Sequence, residues 1–237
     1  MKKMIIASTS TIYGSGYLEY ILPELVNFFE GIDEILFIPY ARPGGISYEE
    51  YTETANKAFH EIDKKVVGIH EFDEPKKAIQ NAKAIFVGGG NTFVLVNTLY
   101  ENDLITEIKG AVENGTKYFG TSAGSNITGV NMKTTNDMPI VYPPDFKTLG
   151  LTSFNLNPHY LDPDPKSKHK GETRETRIKE FHSYNDIPVL GLREGSWLEV
   201  LGQEITLKGT LKAKLFRKSE KPIELNPGII KIDRSSH

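Results

Sequence analysis

Gly120-Thr121-Ser122-Ala123-Gly124 is a stretch whose residue types and spacing could do covalent chemistry. It follows the apolar run Lys117-Tyr118-Phe119 and leads into Ser125-Asn126-Ile127, which could begin a helix. A G-x-S-x-G pattern between a strand and a helix makes a nucleophile elbow. The serine sits on a tight, strained turn, with its Oγ projecting from the end of the sheet. A Cβ at either flanking glycine would crowd that turn. A plain small-residue turn can share the five-residue pattern, so partners elsewhere in the chain have to decide.

A serine hydroxyl attacks only when a base removes its proton. Six histidines are available: His60, His70, His159, His169, His182 and His237. His60 and His182 fall in or near helical patterns, and His237 is terminal. His159 differs. It lies in Asn157-Pro158-His159-Tyr160, after the apolar stretch from Leu151 to Leu156, and the preceding proline stiffens its approach. The base in turn needs a carboxylate on its other nitrogen. Asp137, in a polar loop, and Glu194, at the end of a strand pattern, are both candidates. Triads are recognised by geometry rather than order, so both remain open. The tetrahedral oxyanion needs donors. The Ala123 amide is one, and the turn Gly88-Gly89-Gly90-Asn91 supplies the other from Gly89 or Gly90. A phosphate loop is the rival reading of that turn. No Walker lysine follows it, and the dinucleotide glycine spacing is absent.

The elements that must position these residues alternate. Strand patterns fall at 4–7, 34–39, 65–68, 84–87 and 117–121, and helical spacing at 17–29, 47–59, 74–81, 92–99 and 104–112. Ser47 and Glu50 form a capping-box signal. Such alternation predicts right-handed crossovers and a mostly parallel sheet, covered on both faces where the strands are continuously apolar. Sites in such sheets lie beyond the carboxyl ends of the strands, where Gly88 to Gly90 and Ser122 both fall. From Thr135 to Pro165 the composition predicts loops, and 172–181 a helix. Short strands at 189–192, 197–200, 204–207 and 213–216 read as an antiparallel meander on the main sheet.

Bulk properties narrow the function. The 237 residues suit one α/β domain over 1–237, and 38% hydrophobic with 25% charged residues is ordinary for a globular chain. A net charge of −3 gives no basic field to attract nucleic acid. The lysine-rich piece Lys166 to Lys170 reads as a solvated loop. The absence of cysteine removes disulfides, thiolate metal sites and a cysteine nucleophile, and fits a reducing compartment. Met1 to Ala7 reads as a first strand rather than a leader. No stretch approaches the roughly 20 apolar residues that span a bilayer. The expectation is a cytoplasmic protein without metal or cofactor.

Gly88-Gly89-Gly90-Asn91-Thr92, Gly120 to Gly124, Thr134-Thr135-Asn136-Asp137-Met138-Pro139, Asn157-Pro158-His159, Gly171-Glu172-Thr173-Arg174 and Glu194-Gly195 occur in that order. With them the chain closely resembles the peptidase E (α-aspartyl dipeptidase) family of serine peptidases, nearly end to end. The resemblance implies a flavodoxin-like α/β fold related to class I glutamine amidotransferases, with serine in place of their cysteine. It implies metal-free hydrolysis of Asp-Xaa dipeptides. Ser122 matches the family's nucleophile and His159 its base. Asp137 and Glu194 both match positions proposed for the third member.

An aspartyl substrate calls for a cation, preferably a bidentate arginine. Arg174 is the first candidate, ahead of Arg42, Arg177 and Arg193, and Glu172 or another acid could hold the substrate ammonium. A small peptide is the expected partner, and monomer or homodimer stays open. Two other functions compete: hydrolysis of β-aspartyl-arginine polymer as in cyanophycinases, and an inactive amino-acid-binding module.

Overall fold

The computed structural model of the chain describes residues 1–164, 166 and 171–232. Of the lysine-rich piece, only Lys166 is among them; His169 and His237 lie outside. The first half runs β1 (Lys3–Ala7), α1 (Leu22–Phe28), β2 (Glu34–Ile38), α2 (Tyr48–His60), β3 (Lys65–Gly68), α3 (Pro75–Asn81), β4 (Ala84–Val87), α4 (Thr92–Glu101), α5 (Ile105–Glu113) and β5 (Lys117–Thr121). The second runs α6 (Ala123–Asn126), β6 (Asn155–Pro158), α7 (Arg174–Tyr184), β7 (Val189–Leu192), β8 (Trp197–Leu201), β9 (Glu204–Lys208), β10 (Ala213–Phe216), β11 (Ile223–Leu225) and β12 (Gly228–Ile230).

The main sheet has eight strands in the order β12-β9-β8-β1-β5-β4-β2-β3. From β1 to β3 along this order all pairings are parallel. On the other flank β8, β9 and β12 join antiparallel. Alternate side chains of the central strands enter opposite cores, as the two-residue repeat of a strand demands. Ile5, Ile35, Phe37, Phe86 and Phe119 pack with residues of α1 and α2. Met4, Ile6, Leu36, Ile85 and Tyr118 pack with residues of α3, α4 and α5 on the other face. That second cluster continues into β6, β7 and β10 through Leu156, Leu190, Leu192 and Leu215. Continuous apolar runs therefore mark strands covered on both sides.

Three expectations need correction. The helical spacing at 17–29 yields a helix only over Leu22–Phe28, because Leu18 holds φ 60° and Pro23 stands in the first turn. The predicted loop region at 135–165 contains β6, a short strand whose polar residues Asn155 and Asn157 are buried with hydrogen-bonded side chains. The predicted meander is split between two sheets. β8 and β9 extend the main sheet, while β7 and β10 pair in a second sheet of order β11-β10-β7-β6. Gly195 (φ +82°) makes the turn between β7 and β8, and there the chain passes from one sheet to the other. The capping box is present as expected, with Ser47 Oγ accepting from the Glu50 amide and Glu50 from the Ser47 amide. No helix among the described residues is long and apolar enough to cross a membrane.

Candidate active site

Ser122 follows β5 directly and precedes α6, with φ 52° and ψ −109°. A side chain in that region stores strain that only close surrounding packing can hold. The flanking glycines allow that packing. A Cβ on Gly124 would fall 2.2 Å from the Val87 carbonyl oxygen of β4, and one on Gly120 would fall 2.7 Å from the Gly124 carbonyl oxygen. Ser125 Oγ donates to the Ala7 and Gly120 carbonyls at 2.6 and 2.8 Å, tying the turn to β1 and β5. Gly124→Ala forces backbone apart in a packed interior, which costs about 1–3 kcal/mol or more. We expect Tm to drop by about 5–10 °C in a thermal melt. An unchanged Tm would mean that α6 can slide away from β4 freely.

His159 comes from the end of β6, in the second sheet. Its Nε2 lies 2.8 Å from Ser122 Oγ and its Nδ1 lies 2.6 Å from Glu194 Oε1. A carboxylate only accepts, so Nδ1 carries the proton and Nε2 is left as the acceptor for the Ser122 hydroxyl. The Glu194 and His159 side chains are 46% and 36% exposed. A contact so wet contributes about 1 kcal/mol or less to stability, and it fixes the orientation of the ring.

The fold brings these two residues together because β6 and β7 run parallel, with Pro158 opposite Leu192. Their carboxyl ends therefore emerge side by side. His159 has φ 53°, and its amide donates to Ser8 Oγ at 2.9 Å. The Ser8 hydroxyl in turn donates to the Leu192 carbonyl at 2.7 Å. Arg193 clamps the same two loops. Its Nε and Nη2 donate to Asp162, three residues after His159, while Nη1 and Nη2 engage Glu224 of β11. Hydrogen bonds to Glu224 and Asp162 hold the guanidinium charged. Arg193 is thus fully engaged and is not available to a substrate.

Asp137 is placed elsewhere. Its Oδ2 accepts from the Thr92 amide at 2.7 Å, from Thr92 Oγ1 at 2.6 Å and from Thr135 Oγ1 at 3.0 Å. It stands at the start of α4, where the helix dipole favours an anion, and makes no hydrogen bond to His159. Of the two carboxylates expected from sequence, only Glu194 reaches the imidazole in this structure. Asp137 still lines the small cleft at Ser122, together with Thr92, Asn126, Asn136 and His159.

The amides of Gly88 and Asn91 are taken by the Ile38 and Ala41 carbonyls. Those of Gly89 and Gly90 have no acceptor among the described residues. Gly89 lies against Ser122, since a Cβ there would sit 3.6 Å from Ser122 Oγ. Ala123 follows Ser122 as the first residue of α6.

Arg174 is the first residue of α7, after the Thr173 cap. Burial and the neighbouring Arg177 lower its pKa, while Asp137 opposes them. It makes no hydrogen bond or close ion pair among the described residues. A guanidinium in the first helical turn opposes the helix dipole, so its placement carries a cost. Glu172 is exposed and lies 3.6 Å from Arg177 Nε.

The sequence reading missed Ser8, Thr92, Thr135, Asn136 and Asn157, which hold the His159 and Asp137 loops. Asn136 Nδ2 donates to the Pro158 carbonyl and Asn157 Nδ2 to Asn136 Oδ1, each at 2.8 Å. A buried polar residue just past a strand was the available signal for Ser8. A roomier cleft of about 560 Å³ opens at the other end of the sheet, beside Glu34 and Lys83 where β2 and β4 begin, and it holds no nucleophile with a base.

The model of peptidase family S51 matches residues 4–208. A Streptomyces coelicolor protein described as "Peptidase E" is 47% identical over 225 residues, covering 95% of this chain and 91% of its own. A Drosophila melanogaster protein described as "Probable alpha-aspartyl dipeptidase" is 43% identical over 229 residues, covering 95% and 94%. Among solved structures, a peptidase from an acI-B1 Actinobacterium superposes with a TM-score of 0.67 over 97% of this chain and 96% of its own, at 15% identity. At that identity the likeness speaks for the fold alone.

Proposed function

The chain belongs to peptidase family S51, and from that premise we propose that it is a serine dipeptidase hydrolysing Asp-Xaa dipeptides through an acyl-enzyme. The observation that carries the reading is the unbroken chain from Ser122 Oγ through His159 to Glu194, at 2.8 and 2.6 Å. Ser122 Oγ attacks the scissile carbonyl carbon as its proton passes to His159 Nε2. Glu194 stabilises the imidazolium that results. The oxyanion takes hydrogen bonds from Ala123 and from Gly89 or Gly90. His159 hands the proton to the leaving amine, and the C–N bond breaks. Water then repeats the attack on the ester, with His159 again as base, and frees Ser122. A cytoplasmic site of action suits a chain without cysteine.

Substrate reading follows from charges left without a close partner among the described residues. Arg174 offers a half-buried guanidinium within the field of Asp137 and suits the substrate's aspartyl carboxylate. Among the described residues Asp137 Oδ1 accepts no hydrogen bond, while Oδ2 accepts three, and it suits the substrate ammonium better than the exposed Glu172 does. Reading the free amine at that spot restricts cleavage to the first residue.

The test is hydrolysis of Asp-Leu beside Ala-Leu and β-Asp-Arg, with fluorophosphonate labelling of Ser122. We expect Asp-Leu to be fastest and Ser122 to be labelled. Faster turnover of β-Asp-Arg would point to a cyanophycinase-like activity, and no labelling would point to a binding module. Arg174→Ala should reduce kcat/KM for Asp-Leu by about 10²–10³-fold, the loss expected when a charged partner is left unpaired. Ala-Leu should change little. Equal losses on both dipeptides would remove Arg174 from the specificity site.

A further inference from the structure

The three glycines after β4 are each pressed against a different neighbour. An added Cβ at Gly88 would fall 2.6 Å from the Tyr51 hydroxyl. At Gly89 it would fall 2.9 Å from Ser122 Cβ. At Gly90, where φ is +142°, it would fall 2.1 Å from the Ala41 carbonyl oxygen. Ending a strand does not require all three. The loop is fitted between α2 on one side and the nucleophile on the other.

Tyr51 of α2 is 1% exposed, and its hydroxyl donates to the Gly89 carbonyl at 3.1 Å. Arg42 Nε donates to the same oxygen at 3.3 Å, with its guanidinium 5.0 Å from the Tyr51 ring centroid. Phe37 and Tyr17 contact the ring edge-on at 5.0 and 6.4 Å. One carbonyl thus receives two side-chain donors, one of them on a ring that can barely move. A helix packed under a turn would not need to spend either on it.

Carbonyl and amide of a trans peptide point in opposite directions, and no peptide here is cis. A Gly89 carbonyl drawn towards Tyr51 therefore turns the Gly90 N–H away from Tyr51. We propose that Tyr51, helped by Arg42, is a positioning residue that locks the Gly89–Gly90 peptide with the Gly90 N–H facing the oxyanion. This inference rests on attack by Ser122 as described above. A peptide between two glycines has little intrinsic preference against flipping. A donor that must turn during the reaction stabilises the transition state less than one already in place. The two bonds to the carbonyl also polarise the peptide and strengthen its N–H as a donor.

Tyr51→Phe keeps the ring and removes only the hydroxyl. Loss of a whole oxyanion donor costs about 10²–10³-fold, so loosening one should lower kcat on Asp-Leu by about tenfold. KM should stay unchanged, and so should inhibition by the product aspartate. An aspartyl aldehyde, which adds Ser122 Oγ to form a tetrahedral hemiacetal, should lose affinity by the same factor as kcat. Arg42→Gln, at the surface, should show a smaller loss of the same kind, and it carries the test should Tyr51→Phe not fold. Unaltered kcat in the folded variants would overturn the lock, as would equal losses for aldehyde and aspartate. If the unaltered enzyme does not turn over Asp-Leu, the reading of Ser122 falls and the lock falls with it. Turnover that neither variant disturbs removes the lock alone.

Discussion

Ser122→Ala is expected to lower kcat on Asp-Leu by about 10⁴-fold or more while leaving the fold intact. The size follows from the chemistry. Without the hydroxyl there is no acyl-enzyme, and His159 can at best activate a water that is poorly placed. What survives is the oxyanion site and substrate binding, which in serine hydrolases leave a residue of rate over water. A loss of that order is about 5 kcal/mol of transition-state stabilisation. The fold should not suffer, because among the described residues Ser122 Oγ bonds only to His159 Nε2. An alanine can occupy the same turn, although its φ of 52° remains costly. The measurement is steady-state kinetics with a thermal melt on the same sample. Turnover within about tenfold of the unaltered enzyme would refute covalent catalysis at this serine.

The second large effect separates the two carboxylates. Glu194→Gln keeps size and hydrogen-bonding capacity but replaces the acceptor with an amide that can donate. Presenting that N–H to Nδ1 favours the wrong tautomer and leaves Nε2 protonated, unable to take the Ser122 proton. Comparable changes in serine proteases cost about 10⁴-fold in kcat. Because the pair is partly exposed, water can substitute in part, and we expect about 10²–10⁴-fold. Asp137→Asn should behave differently. It weakens three hydrogen bonds at the start of α4 and removes a negative charge that acts on Arg174. Its main effect should be a raised KM for Asp-Leu, through the lost ammonium partner. Should Asp137→Asn instead abolish kcat with KM unchanged, while Glu194→Gln remains active, the carboxylates have exchanged roles and the loop at 134–138 must move during turnover.

The contrast between these residues shows how far a linear reading reaches. Ser122 was legible because its neighbours are glycines. Gly120 and Gly124 report locally that backbone approaches backbone, and the contacts with Val87 and Gly124 carbonyls bear that out. The strands β1, β2, β4 and β5 were legible because both their faces are covered, and continuous apolar runs announce that. β6 carried no such mark. Its four residues, Asn-Leu-Asn-Pro, hold position through side-chain hydrogen bonds to residues some twenty positions earlier. The spread of β7 to β10 over two sheets was equally hidden, since each strand has the same local pattern whichever partner it takes. Ser8 was passed over because its two bonds, to the His159 amide and the Leu192 carbonyl, span 151 and 184 positions.

Residue types and their short-range spacing were enough to single out a candidate hydroxyl, a candidate imidazole, a glycine turn and an alternating α/β frame. They left two acids in contention. Tertiary structure places only one of them within hydrogen-bond reach of the imidazole, and reach is a property of strand order. Parallel pairing of β6 with β7 sets Glu194 beside His159, whereas the turn into α4 draws Asp137 onto Thr92 and Thr135.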